Sequence, residues 1–177
     1  MGGRFPPTAT NWLIAITAVM FLVQNTVDRG EALMGMNRLF LLAGYWFQPL
    51  TSLFIHGGLM HLVMNMAVFY HYGNLLEAYR GKKSLLLLYL GGGTLTSLLS
   101  FGFTQFVLER SVNLVGASGA ISVVLGYVAA AVPPQRREIT AMILVISFLP
   151  LLAGMPVAWY AHLIGFGLGW VAGMRRV

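Results

Sequence analysis

Six apolar segments follow one another along the chain, and each approaches the roughly 20 residues with which a helix crosses a bilayer. They cover residues 11–27, 59–79, 84–107, 115–132, 139–155 and 157–174. Only 9% of the 177 residues are charged, against roughly 25% in an ordinary soluble domain. The sequence therefore predicts one all-α membrane domain over residues 1–177, built as a six-transmembrane-helix bundle.

The basic residues predict the orientation of this bundle. With the N-terminus placed inside, eight of them fall on the inner side: Arg4, Arg80, Lys82, Lys83, Arg136, Arg137, Arg175 and Arg176. The outer side holds three: Arg29, Arg38 and Arg110. Since Lys and Arg concentrate in the inner loops of membrane proteins, both termini are expected inside. The net charge of +6 is thereby accounted for without a nucleic-acid partner.

The segments around the first predicted helix bear on location and on the outer surface. A short inner head, residues 1–10, precedes this helix, and no small-residue cleavage site follows it, so we expect a retained anchor. No transit peptide is recognised, and a bacterial plasma membrane is the expected location. The outer connection, residues 28–58, is expected to form short interfacial helices with Tyr45 and Trp46 at headgroup level. It is either functional or a passive brace.

Polar residues within or beside apolar segments are costly unless they have a partner or a role. The conspicuous set is His56, His61, Asn65, His71, Ser118, Ser122 and His162. In the predicted topology the second, fourth and sixth helices all begin outside. Four of these residues therefore lie at one depth: His61, Asn65, Ser118 and His162. His71 lies about 15 Å deeper and is interpreted as structural. Glu77, near the inner end of the second helix, is interpreted with Arg80 and Gly81 as a helix terminus.

Small residues recur every four positions along the fourth and sixth predicted helices. The two series are Ser118, Ser122, Gly126 and Ala130, and Ala161, Gly165, Gly169 and Gly173. Such faces let helix backbones approach closely in lipid, so the outer ends of the two helices are expected to meet, with Ser118 near His162. The alternative, that both faces serve packing alone, leaves the histidine unexplained.

A serine beside a histidine is the minimal pair for nucleophilic catalysis, because the imidazole takes the hydroxyl proton. The only aspartate, Asp28, follows the first helix, and the absence of cysteine excludes a thiol nucleophile. Asn65 and His61 share one helix face and carry N–H groups that suit an oxyanion. The sequence predicts a Ser118–His162 dyad that uses no metal and no cofactor.

Two other classes of site were weighed on the same residues. A metal site built from His56, His61 and His162 has no carboxylate nearby, and the H-E-x-x-H motif is absent. A small transporter is expected to place polar residues through the whole membrane depth, whereas here they gather in the outer third. Both alternatives rank below the dyad.

Three stretches carry a resemblance to a known family: HGGLMHLVMN opening the second helix, GASGA opening the fourth, and AHLIGFGLG in the sixth. In that order the chain, from about residue 11 to 174, resembles the rhomboid family of intramembrane serine proteases. The resemblance implies that Ser118 is the nucleophile and His162 the general base and acid. It also implies transmembrane protein substrates, cleaved near their outer end. We expect a monomer in the lipid bilayer.

The resemblance assigns further roles around this pair. Asn65, His61 and the Ser118 backbone N–H are implied as the oxyanion hole, with Gly116 beside it. The supporting residues implied are His56, Gly119, Ser122, Gly165 and Gly169. The alternative is a rhomboid-like protein that binds membrane clients without cutting them, although such proteins usually lose the serine or the histidine.

The sequence departs from the family pattern at two places. Family members often carry a Trp-Arg pair in the first outer loop, where this chain has Phe47-Gln48. Many also have a tyrosine one turn after the nucleophile that stacks on the histidine, and Ser122 stands there. These departures predict a differently anchored outer loop and a looser orientation of His162.

Overall fold

The apolar segments are helical in the computed structural model, which describes residues 8–175. The α-helices are α1 Ala9–Thr26, α2 Gly30–Met34, α3 Leu39–Leu42, α4 Gln48–Thr51, α5 Leu59–Leu86, α6 Gly93–Phe106, α7 Ser118–Ala131, α8 Arg136–Leu152 and α9 Trp159–Met174. A π-helical segment, Leu87–Gly92, joins α5 to α6, and a 3-10 turn, Pro133–Gln135, precedes α8. Residues 8–175 form no strand, so the all-α class is confirmed. Arg4, Arg176 and most of the predicted head lie outside the described residues.

The helices are apolar, but their lengths do not all match a membrane span. By length and composition Ala9–Thr26 and Leu59–Phe106 qualify as spans, and a third is added if α7 and α8, bent by 119°, count as one. Within the 48-residue stretch, Gly81 has φ +79° and breaks the helix, because only glycine adopts this conformation readily. The 14 residues of α7 extend about 21 Å. The six-span count stays a prediction.

Helix α7 lies at the centre of the bundle, with every residue from 119 to 130 buried. Its closest partner is α9, and glycines on both helices let the backbones touch. A Cβ at Gly126 would overlap the carbonyl oxygen of Phe166, and one at Gly169 would overlap that of Val123. Larger side chains at these positions would separate the helices. The N-terminal end of α9 is therefore held against the start of α7.

The N-terminus of α1 is joined to α5 by a carboxylate. Glu77 of α5 accepts hydrogen bonds from the backbone N–H groups of Ala9 at 2.8 Å and Thr10 at 2.9 Å, and from the Thr10 hydroxyl at 2.9 Å. The first N–H groups of a helix have no acceptor within it, so Glu77 supplies one. The sequence placed Glu77 at a helix terminus, but the terminus that it caps belongs to α1.

The outer connection, residues 28–58, contains the short helices α2, α3 and α4. Gln48 is fully buried there, and its Nε2 donates to the carbonyl oxygen of Leu33 at 3.0 Å while its Oε1 accepts from the Asn37 N–H at 3.3 Å. Met36 pairs with Leu114 through two backbone hydrogen bonds of 2.9 and 2.8 Å. The connection is thus tied internally by Gln48 and fastened to the segment before α7.

Candidate active site

Ser118 is the first residue of α7, immediately after a turn that requires glycine. Gly116 has φ +117°, and its N–H donates to the Ser52 carbonyl oxygen at 3.0 Å. The next N–H, that of Ala117, donates to Nε2 of His56 at 3.3 Å. These bonds fix the backbone on which Ser118 enters the helix. Its side chain is half-buried, and the N–H groups of this first turn have no acceptor within the helix.

Gly116 brings this turn against the face of α5 that carries His61 and Asn65. A Cβ at residue 116 would lie 2.7 Å from His61 Cε1, 3.0 Å from His61 Nε2 and 3.8 Å from Asn65 Nδ2. The absence of a side chain is therefore what lets the turn approach α5. Of the sequence-predicted oxyanion residues, the structure places Gly116, His61 and Asn65 together. Gly116 precedes Ser118 by two residues.

The Asn65 side chain presents an unused donor to this place. The residue is 9% exposed, and within residues 8–175 its Nδ2 is buried without a hydrogen-bond partner. An unpaired buried amide costs free energy comparable to a lost hydrogen bond, so such a group calls for a role. An unpaired N–H of this kind is able to donate to a negatively charged oxygen.

His162 lies in the first turns of α9 and is 6% exposed. A Cβ at Gly165, three residues later, would overlap the carbonyl oxygen of Gly119, next to Ser118. Ala161 and Ser118 line one cavity. The hydrogen bonds within residues 8–175 do not include one between Ser118 Oγ and the His162 ring. The ring instead forms a hydrogen bond through Nδ1 to Ser147 Oγ of α8, at 3.1 Å.

The cavity at Ser118 is rich in hydroxyl groups. Its polar lining comes from the outer connection, α6 and α7: Ser52, Thr96, Ser97, Ser100 and Ser118. The rest of the wall includes Gly116, Gly119 and Ala158. Most of the wall is apolar, but its hydroxyl groups can donate to and accept from a water molecule or a peptide backbone.

His56 is fully buried and supports the turn from behind. Its backbone is paired with Gln24 of α1, while its ring accepts from Ala117 and lies 5.1 Å, centroid to centroid, from that of His61. Burial, and then the charge of His61, lower the pKa of His56 to about 4. The ring is therefore neutral at pH 7, which leaves Nε2 free to accept.

Of the remaining predicted residues, some pack beside Ser118 and one lies away from it. Ser122 Oγ donates to the Ser118 carbonyl oxygen at 2.7 Å, so it stays within its own helix. Gly119 packs on Thr96, because a Cβ at residue 119 would lie 3.1 Å from Thr96 Cγ2. His71 packs edge-on against Tyr72, away from these contacts. Within residues 8–175 no three His, Asp or Glu side chains are grouped to hold a metal ion.

Three buried polar residues with structural partners were not predicted from the sequence to have a role: Gln24, Gln48 and Ser147. Gln48 and Ser147 stand among apolar neighbours, whereas Gln24 is followed by Asn25 and Thr26. Their isolation could have flagged Gln48 and Ser147, since a polar side chain in an apolar segment needs a partner. Gln48 also answers the departure at Phe47-Gln48, because its amide anchors the outer loop. Ser147 bears on the departure at Ser122, because it contacts the ring that Ser122 leaves alone.

The amino-acid sequence is similar to known proteins over the region that contains this site. The family model described as "Rhomboid domain" matches residues 43–177. Over 112 residues, 62% of this chain, the sequence is 33% identical to "Rhomboid-like protein 11, chloroplastic" of Arabidopsis thaliana. It is 32% identical over 124 residues, 67% of this chain, to "Presenilin-associated rhomboid-like protein A, mitochondrial" of Danio rerio.

A bacterial relative carries the word protease in its name. The chain is 32% identical to "Rhomboid protease GluP" of Bacillus subtilis (strain 168) over 126 residues, 68% of this chain. The matched regions span 37%, 30% and 24% of the plant, fish and bacterial relatives. The likeness is therefore to one domain of longer proteins.

Proposed function

Because the chain belongs to the rhomboid family, we propose that it is an intramembrane serine endopeptidase that cuts transmembrane helices near their outer end. Family membership and the apolar helices identify an integral membrane protein. Six spans, inner termini, a monomer and a bacterial plasma membrane belong to the proposal. The eight-to-three division of basic residues, with Arg4 and Arg176 included, supports the orientation.

The proposed first step is acylation of Ser118. His162 Nε2 takes the hydroxyl proton while Oγ bonds to the scissile carbonyl carbon, and the carbonyl electron pair moves to its oxygen. Asn65 Nδ2–H and the Ser118 backbone N–H donate to this oxyanion, with His61 beside them. When the tetrahedral intermediate collapses, the C–N bond breaks and His162 gives its proton to the leaving amine.

The second step releases the acyl group. A water molecule gives a proton to His162 Nε2 and attacks the ester carbon, through a second oxyanion at the same donors. The C–Oγ bond then breaks, and Oγ recovers the proton from His162. The products are a carboxylic acid, which ionises in water, and the restored serine. The hydroxyl groups in the cavity at Ser118 support this step because they can hydrogen-bond to a water molecule.

The observation that carries the proposal is the amide of Asn65. It is a buried donor without a protein acceptor in residues 8–175, and it faces the glycine turn that precedes Ser118. A helix-packing role would bond this amide to a carbonyl oxygen, as Asn74 Nδ2 bonds to Tyr70 at 2.7 Å. An oxyanion role leaves it unpaired until substrate arrives.

The test uses the detergent-solubilised protein, a fluorophosphonate probe and a reporter transmembrane substrate. Wild type is expected to be labelled and to cut, and Ser118→Ala and His162→Ala to lose both activities. Asn65→Ala is expected to lower kcat by about 10² to 10³. Ser111→Ala, which changes an exposed serine before α7, is the matched control. Equal product from wild type and Ser118→Ala would favour a protein that binds membrane clients without cutting.

A further inference from the structure

Helix α8 buries one stripe of side chains, and that stripe ends in a serine. Its buried residues are Ile139, Ile143 and Ser147, spaced four apart. Most of the remaining α8 side chains are exposed or half-buried. Ser147 is 0% exposed and stands in the apolar run ILVISFLPLL. A buried hydroxyl in such a helix is unfavourable unless it has a hydrogen-bond partner.

The partner of Ser147 is the imidazole of His162. The distance from Ser147 Oγ to His162 Nδ1 is 3.1 Å, and both side chains are buried. Within residues 8–175 the side-chain hydrogen bond of this ring is the one to Ser147, and the ring belongs to none of the aromatic pairs. Ser122, at the place where a stacking tyrosine was expected, bonds to the Ser118 carbonyl oxygen instead.

This contact accommodates the form of the imidazole that a general base needs. A neutral histidine carries a hydrogen on one ring nitrogen and a lone pair on the other. If Nδ1–H donates to Ser147 Oγ, the lone pair lies on Nε2, the nitrogen that the proposed mechanism turns toward Ser118. When Nε2 takes the serine proton, the same Oγ accepts a stronger hydrogen bond from the positively charged ring.

We propose that Ser147 is a positioning residue for His162, and that α8 thereby supplies the third member of the site. The inference rests on the proposed function, since His162 has to be the base. It assigns to a hydroxyl the work that an aspartate performs in other serine proteases. A hydroxyl is neutral, so it holds the ring without placing a carboxylate among apolar helices.

The variants that test it differ at one side chain. Ser147→Ala removes the acceptor, and Ser147→Cys keeps the volume but offers a weaker sulfur acceptor. Ser147→Thr retains the hydroxyl. Thr140→Ala, seven residues earlier on α8 and half-buried, controls for disturbance of the helix. Thermal unfolding in detergent identifies the folded variants, and Ser147→Cys replaces Ser147→Ala if the alanine variant fails to fold.

The measurement is kcat and KM on the reporter transmembrane substrate. Ser147→Ala or Ser147→Cys is expected to lower kcat by about tenfold, which corresponds to about 1.4 kcal/mol, with KM unchanged. Ser147→Thr is expected to restore most of kcat, and Thr140→Ala to match wild type. A purely structural serine would change KM and stability together and would not be rescued selectively.

The outcomes separate this inference from the proposed function. If wild type cuts and Ser118→Ala does not, while Ser147→Ala keeps the wild-type kcat, the positioning role is wrong and the protease stands. The same holds if Thr140→Ala loses as much as Ser147→Ala. If wild type and Ser118→Ala give equal product, the protease is wrong, and the role of Ser147 falls with it.

Discussion

Gln24 of α1 and His56 of the outer connection are joined by two buried hydrogen bonds. Gln24 Nε2 donates to the His56 carbonyl oxygen at 2.7 Å, and the His56 N–H donates to Gln24 Oε1 at 2.9 Å. The His56 ring then accepts from the N–H of Ala117, the residue before Ser118. A helix that contributes no residue to the proposed chemistry is thus connected to the nucleophile by three hydrogen bonds.

Gln24→Leu is expected to weaken both the fold and the site. It leaves the N–H and C=O of His56 buried and unpaired, at about 1–3 kcal/mol for each group. The midpoint of thermal unfolding should fall by about 5 °C or more, and cleavage should fall with it. Asn25→Ala is the control, because the exposed Asn25 bonds to Phe21 of its own helix. Equal melting of the two variants would contradict the clamp.

The pKa of His56 predicts how stability changes with pH. The ordinary pKa of histidine is 6.5, and burial followed by the charge of His61 lowers it to about 4 in the folded protein. The unfolded chain therefore takes up a proton first as pH falls. The contribution of His56 to stability is fully present above pH 6.5 and is lost as pH falls toward 4. The loss is on the order of 3 kcal/mol.

His56→Gln isolates this effect from the other titrating groups. The glutamine carbonyl is able to accept from the Ala117 N–H, and it does not titrate. Unfolding midpoints of wild type and His56→Gln, measured from pH 8 to pH 4, should therefore converge or cross as pH falls below 6.5. A constant difference between the two proteins across this range would show that His56 does not carry the dependence.

The sequence predicted the helices of this molecule well, because long apolar segments and a four-residue spacing of small residues both indicate helices. The second helix was placed at residue 59, where α5 begins, and the fourth at 115, near the start of α7 at 118. The sequence predicted Asn65 and Ser118 at the same depth and therefore at one end of the bundle. In the structure Gly116, two residues before Ser118, lies against Asn65.

The sequence did not predict the side chains that bond to irregular backbone. Gln24 and Gln48 bond to backbone groups of the outer connection. A bond to a loop carbonyl produces no periodic residue pattern that could be recognised in the sequence. Ser147 was missed for a different reason. The polar residues chosen from the sequence lie on the second, fourth and sixth predicted helices or just before the second, and Ser147 lies near the C-terminal end of α8, in the fifth.

Glu77→Gln is expected to lower stability without touching the site. The carboxylate accepts three hydrogen bonds from Ala9 and Thr10, and an amide turns an NH₂ group toward one of these donors. A hydrogen bond to a charged acceptor is worth about 1.5–3 kcal/mol, so the unfolding midpoint should drop. Glu138→Gln, at an exposed carboxylate that Tyr72 contacts at 3.5 Å, should leave it unchanged. Equal shifts would mean that Glu77 does not cap α1.

Gly169 and Gly167 lie two residues apart on α9 and face different surroundings. A Cβ at Gly169 would overlap the Val123 carbonyl oxygen and lie 2.9 Å from the Tyr127 N, whereas a Cβ at Gly167 meets nothing within 4 Å. Gly169→Ala is therefore expected to push α9 from α7, at about 1–3 kcal/mol.

Gly167→Ala has the opposite expected sign, because alanine favours a helix over glycine by about 1 kcal/mol where space allows. Unfolding midpoints of the two variants measure the difference, and cleavage kinetics measure its effect on the site, since α9 carries His162. Gly169→Ala should lose kcat as well as stability, while Gly167→Ala keeps both. If both alanines are tolerated equally, α7 and α9 do not meet backbone to backbone, and His162 loses the contact that holds it near Ser118.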